Sequence, residues 1–349
     1  MEKKIRNSLK YILWGAVAIV LLYFSFRGVN WKDFGDALKE CRWEWVLVSM
    51  LLGGFVFFLR GLRWQILLRP IDPSTRALTC FNAMNICMLV NLVLPRVGEV
   101  VRCGFITKNS ARDAEGKRLA SFDKVLGTVV IDRIWDIISI VVVLFLLLSV
   151  MWDRFGAFFR DTIFSGIGGA AALWWIVALV LLAGGGFIWL CYRLRERGKV
   201  WGKVWGIIAG IGDGLRSCLH MKKSWLFIAY TAVIWLCYWL MSATIIWALA
   251  DIDPASVGPE LGASIEKVRS LGMADALFLM FAGALSTLVP VPGGFGAFHT
   301  VVAGALLSVY GLPFSVGLIF ATLSHESQIV MELVLGAASY GYETVHKEA

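Results

Sequence analysis

Apolar residues run along this chain in long blocks, separated by short polar segments in which Lys and Arg collect. Eight blocks stand out, at about 9–26, 45–67, 78–94, 126–150, 170–191, 224–249, 272–289 and 313–340. Hydrocarbon gives the backbone no hydrogen-bonding partner, so a crossing helix needs about 20 mostly apolar residues. The pattern therefore predicts an all-α polytopic membrane protein. Two blocks end in proline breaks, NLVLPRVGEVVR at 91–102 and STLVPVPGGFGAFH at 286–299. Proline removes a backbone donor and glycine loosens the chain, so a helix should stop at each break. Non-helical backbone at membrane depth is tolerated where protein buries it or where it lines a wet cavity, which points to an interior site beside the breaks. Two stretches outside the blocks are amphipathic and should lie along interfaces: Trp31, Phe34, Leu38 and Cys41, and Val204, Ile207, Ile211 and Leu215.

Charge decides how the blocks cross. If all eight crossed, the basic loops 102–124 and 193–223 would both fall outside, against the positive-inside tendency. If 78–94 and 272–289 instead enter and return on one side, 23 of the 33 Lys and Arg lie inside and 8 outside, with Arg96 and Arg133 in the membrane region. The expected architecture is thus about six full transmembrane helices plus two re-entrant hairpins in a single integral membrane domain over 1–349. Both termini are expected on the cytoplasmic side of the inner membrane. The order span, span, hairpin, span occurs twice from opposite sides, giving inverted-repeat halves of about 1–152 and 160–345, an arrangement associated with alternating-access transporters.

Composition agrees, with 58% hydrophobic and 17% charged residues over 349 positions, against about a quarter charged in an ordinary soluble domain. The net charge of +8 resides in the short loops, so it reads as membrane topology rather than nucleic-acid binding. Seven cysteines form no CxxC pair, which suggests neither a disulfide framework nor a metal site. The N-terminal MEKKIRNSLK before an apolar run resembles a signal peptide, but Ser25-Phe26-Arg27 lacks the small-x-small pattern, so an uncleaved first span is expected. Trp45, Trp152, Trp174, Trp175, Trp225 and Trp247 fall near span ends as an interfacial belt requires, and Arg60 and Arg63 are expected to snorkel toward headgroups.

Ionisable groups inside a membrane are expensive, so each cluster of them is either paired or functional. Arg96, Glu99 and Arg102 follow Pro95 at i, i+3 and i+6, offering two guanidiniums at a helix start as a phosphate seat; the alternative is that Glu99 neutralises both arginines and braces the hairpin. Asp132, Arg133 and Asp136 lie about two turns into the fourth block, where an i, i+3 ion pair competes with a substrate role, and Arg133 reaching across to Glu99 is a third arrangement. His299 follows the Pro292, Gly293, Gly294, Gly296 turn, and His325, Glu326 and Glu332 lie in the last block. Imidazoles beside a carboxylate at membrane depth suit proton carriage or a polar gate; as metal ligands their spacing is unpersuasive, and neither a metal nor a cofactor is expected.

LRGLRWQILL at 59–68, LPRVGEVVR at 94–102, VVIDRIWDII at 129–138 and VPVPGGFGAFH at 289–299 carry a resemblance to the transmembrane region of lysylphosphatidylglycerol synthases. This region is the flippase domain of multiple peptide resistance factors and their stand-alone relatives. The resemblance extends over nearly the whole chain. It implies translocation of a phospholipid or polyprenyl-type lipid, with Arg96, Glu99, Arg102, Arg133 and Asp136 along the lipid pathway. Where the family usually has an acid this chain has His299, and the arginine common near His325 is absent. The synthase chemistry of long members belongs to a separate cytosolic domain, which is not expected here. A lipid-modifying transferase using His299, His325 or Glu326 as a base, and a membrane partner subunit of a lipid or glycan enzyme, are the other function classes.

Overall fold

The computed structural model describes residues 15–346 apart from 18, 28, 159–169, 199, 203, 207 and 210–222. The described residues form helices joined by short turns, with no strand among them. They are α1 (Gly15–Phe26), α2 (Trp31–Glu40), α3 (Trp43–Leu68), α4 (Ala77–Val93), α5 (Val97–Asn109), α6 (Phe122–Phe158), α7 (Ala170–Leu194), α8 (Ser224–Ala250), α9 (Pro259–Arg269), α10 (Met273–Ser286), α11 (Ala297–Tyr310) and α12 (Phe314–Val345). Each apolar block carries a helix, although residues 9–14 of the first lie outside the described residues. The protein is a polytopic all-α membrane protein. By length and composition five segments can cross a membrane, or six if the pair α9 and α10, bent by 115°, is one broken span.

The chain divides into two compact units, one of Met1–Ile66, Ser74–Ser110 and Lys223–Ala349, the other of Leu67–Pro73 and Ala111–Lys222. In the first unit the long α12 is central, packing on α11, α4 and α8, while α4 packs on α5 and α10 on α11. In the second unit α6 runs 37 residues and departs from helical geometry at Met151.

Both proline breaks separate short helices that fold back on each other. At 1.5 Å per residue, α4 (17 residues) is about 25 Å long and α5 (13 residues) about 20 Å, while α10 and α11, at 14 residues each, are about 21 Å. Each helix alone falls short of the roughly 30 Å hydrocarbon core, although α11 taken with the turn before it, Pro292–Tyr310, is one of the five segments long and apolar enough to cross. The first hairpin returns to its starting level: the Ala111 N–H, just past α5, donates to Asp72, just before α4, at 3.0 Å. The second is closed in the same manner, with the Tyr310 hydroxyl at the end of α11 donating to Asp275 in the first turn of α10 at 2.9 Å.

The tips are built differently. In the first, Leu94 ends α4 and Arg96 takes a left-handed conformation (φ 64°), the one non-glycine residue with positive φ among those described. Gly98 then packs so tightly that a Cβ would enter the Cys87 carbonyl, and its N–H donates to the Asn91 side chain at 2.9 Å. In the second, Gly293, Gly294 and Gly296 all have positive φ, which L side chains avoid.

The amphipathic stretch at 31–41 forms α2, capped by the Asn30 side chain, which accepts from the Lys32 and Asp33 N–H groups, with Phe34 and Ala37 buried. Its counterpart at 204–215 falls largely outside the described residues. Two arginines depart from expectation: Arg60 and Arg63 do not snorkel but are buried. Arg63 packs over the Phe227 ring at 5.5 Å with Nη1 3.4 Å from the Thr231 hydroxyl, and Arg60 donates to Tyr238 at 3.4 Å. Both lie on the side of α3 that faces α8, where aromatic and hydroxyl groups replace the headgroup contacts. The tryptophans behave as a belt in part. Trp175 and Trp225 are exposed and Trp45 pairs edge-to-face with Trp247, whereas Trp64 is fully buried.

Candidate functional site

The first cluster sits where α5 begins. Arg96 is exposed at the hairpin tip, while Arg102, one and a half turns on, is fully buried. The Arg102 guanidinium lies 2.6 Å from the Glu99 carboxylate, 4.7 Å above the Trp64 ring and, through Nη1, 2.8 Å from the Met84 sulfur. This arginine therefore faces protein, tying α5 to α3 and α4, and only Arg96 of the two offers its charge outward. Trp64 gave no signal of this role in the sequence beyond standing in LRGLRWQILL.

On α6, Arg133 pairs with Asp136 at 3.1 Å, both side chains partly exposed, and Asp132 is buried one residue earlier. This i, i+3 pair is the local arrangement expected from spacing.

The third cluster brings together residues far apart in the chain. His299, buried in the first turn of α11, donates through Nε2 to Glu326 at 3.3 Å. His325 places Nδ1 3.2 Å from the same carboxylate oxygen and Nε2 2.9 Å from the Gly293 carbonyl at the second hairpin tip. The carbonyl can only accept, so Nε2 carries a proton. Nδ1 then meets a carboxylate oxygen, and that contact is attractive only with a second proton on Nδ1 or on the carboxyl group. Phe298 stacks on His325 at 5.0 Å, and Phe295 and Phe26 approach the two imidazoles edge-on or tilted at 5.5 Å each.

Of the turn residues, Gly293 supplies the bonded carbonyl, Gly294 lies close enough that a Cβ would stand 3.2 Å from His325 Nε2, and Gly296 passes against Leu21 and Leu22 of α1. Pro292 opens the turn. His299, His325 and Glu326 are the described residues whose ligand atoms, all within 4.8 Å of one another, could surround a cation. Their mutual hydrogen bonds and the one to Gly293 already engage those atoms.

Sequence reasoning grouped the histidines with Glu326 but missed the groups that continue along α12. Gln328 donates to Ser49 at 3.3 Å, Asn85 to Ser339 at 2.9 Å and Asn82 to Glu343 at 2.7 Å. The signal was present as spacing: His325, Gln328, Glu332, Ser339 and Glu343 are 3, 4, 7 and 4 residues apart, which is one helix face.

An all-α membrane protein with two closed hairpins and buried ionisable clusters defines the class. Within it, residues 11–336 match the family model of the lysylphosphatidylglycerol synthase TM region, and the chain belongs to that family. No curated protein and no solved structure matches it significantly.

Proposed function

We propose that this protein is a lipid flippase of the cytoplasmic membrane, moving an anionic or phosphate-linked lipid headgroup past two hairpins that dip in from opposite faces while the acyl chains stay in the bilayer. The reading is of a transporter rather than an enzyme, with both termini cytoplasmic and the halves related as an inverted repeat. The observation that carries it is the pair of hairpins, each made of two helices folded back on one another with their ends hydrogen-bonded together, and each turning at a tip of strained or glycine-dependent backbone. Such tips are supportable at membrane depth only beside protein or water, and the family is one of lipid-associated membrane regions.

Arg96, exposed at the first tip, receives the phosphate, while Arg102 and Glu99 hold that tip in place. Arg133 with Asp136 on α6 is a separate headgroup contact, in which the phosphate competes for the arginine. At the second tip His299, His325 and Glu326 meet the polar part of the headgroup, beside a turn of glycines that leaves the backbone approachable. Arg96→Ala and Arg133→Ala are each expected to reduce outer-leaflet exposure of the transported lipid in cells at least tenfold with normal amounts of folded protein. Full exposure in both variants would remove these arginines from the pathway.

A further inference from the structure

Beyond the headgroup route, the last helix carries polar groups along one face. From His325 through Gln328, Glu332 and Ser339 to Glu343 is 18 steps along the chain, about 27 Å along α12 at 1.5 Å per residue. Ionisable groups at such depth are costly inside a membrane protein and commonly serve ion or proton relays. Its upper end is the Glu326 carboxylate with two imidazoles; its lower end is the Glu343–Asn82 contact. In the middle, Glu332 stands two turns beyond His325 on the same helix face.

We propose that this face is a proton path and that H+ is the coupling ion of the transporter, bound at the His325–Glu326 contact. The proposal rests on the transporter reading for what is coupled, while the path itself is argued from the shared helix face and the contacts at its ends. With the proton present, the His325 imidazolium donates Nε2–H to the Gly293 carbonyl and Nδ1–H to the Glu326 carboxylate, so one residue clamps the second hairpin tip to α12. When the Nδ1 proton leaves toward Glu332, two lone pairs oppose each other across that contact. The ring must then turn or part, and the tip loses its tie to α12. Proton release thereby loosens the glycine turn beside which the flippase reading places the headgroup.

Three buried polar atoms support hydration along this line. Asn85 Oδ1, Thr322 Oγ1 one turn before the cluster, and His299 Nδ1 accept or donate no hydrogen bond within the protein. Buried polar atoms of this kind are usually met by water, and Asn85 stands beside the two-turn interval between Glu332 and Ser339. Among the described residues, charged and titratable groups stand on several elements packed against α12: His299 on α11, Arg60 on α3 with Tyr238 of α8 bound to it, and, at the start of α12, Asp33 on α2 and Glu260 on α9, which accepts from Ser315. The α4 sequence ALTCFNAMNICMLVNLV contains no charged side chain.

The test uses the full chain in proteoliposomes of phosphatidylglycerol and phosphatidylethanolamine with an entrapped pH dye. We expect an imposed pH gradient to speed fluorescent phosphatidylglycerol flipping at least fivefold and a protonophore to abolish that gain. Glu332→Gln should keep the gradient-free rate within twofold while losing the gain, and Glu332→Asp should restore it. Flipping indifferent to the gradient and to the protonophore overturns the coupling and leaves the flippase reading intact. Should no flipping occur, infrared difference spectra between acid and neutral pH still test the path. Imidazolium ring bands that disappear in His325→Gln, together with a protonated-carboxyl band that disappears in Glu332→Gln, support it, and the absence of both overturns it. Stoichiometric zinc in protein purified without chelator also overturns it, since a bound metal would occupy the proton's site.

Discussion

Arg96 joins two properties that seldom coincide: an exposed guanidinium at the tip of a membrane hairpin and a left-handed backbone. The left-handed conformation costs an L-residue about 1–2 kcal/mol, and glycine would relieve it. Retention of arginine there is explained if the charge itself is used. Arg96→Gly should therefore raise thermal stability in detergent by about 1 kcal/mol while lowering flipping as severely as Arg96→Ala. A glycine variant that flips normally would make the residue a bystander. Arg102 shows the opposite economy, since its guanidinium is sealed against Trp64, Met84 and Glu99. Spacing in the sequence placed Arg96, Glu99 and Arg102 near one another but was silent on which would face outward. That depends on how α5 rolls against α3 and α4, a tertiary choice that a 13-residue helix does not encode by itself.

Between elements, the two hairpins use different chemistry to turn. The first turns on Pro95, a left-handed Arg96 and the close approach of Gly98 to the Cys87 carbonyl; the second turns on three positive-φ glycines held by His325. Gly98→Ala should destabilise the first hairpin by about 1–3 kcal/mol, because the backbone it strikes cannot swing aside; a melting temperature equal to that of the unmodified protein would contradict the packing. The two helix breaks were legible from the chain because proline and glycine act locally. Asp275–Tyr310, which closes the second hairpin, was not, for its members are 35 positions apart. The burial of Arg60 and Arg63 was misjudged for a related reason. An arginine near a predicted span end snorkels only if no neighbour supplies aromatic and hydroxyl partners, and Phe227, Thr231 and Tyr238 on α8 supply them.

For the molecule as a whole, the block pattern and the charge count anticipated an all-α membrane architecture, since a span's length and flanks are local properties. The charge argument for the first hairpin finds a structural counterpart in the Ala111–Asp72 hydrogen bond, which holds the loops before and after it together at 3.0 Å. Single cysteines placed at 69 and 115 in a cysteine-free background should accordingly react with a membrane-impermeant maleimide from the same, cytoplasmic, side. Labelling from opposite sides would make α4 and α5 a crossing pair and dissolve the hairpin. The polar face of α12 belongs to this scale too. Its spacing lies in the sequence, but its meaning emerges only once α3 and α4 bring Ser49, Asn82 and Asn85 alongside.

The most direct measurement is lipid translocation by the purified protein in liposomes. Fluorescent phosphatidylglycerol is reconstituted in both leaflets and the outer-leaflet signal is quenched by a membrane-impermeant reductant. Quenching is expected to proceed well past one half in vesicles holding the unmodified chain and to stop near one half with Arg96→Ala. Quenching that stops near one half with the unmodified chain, for this lipid and for a polyprenyl-phosphate probe alike, would contradict the flippase reading.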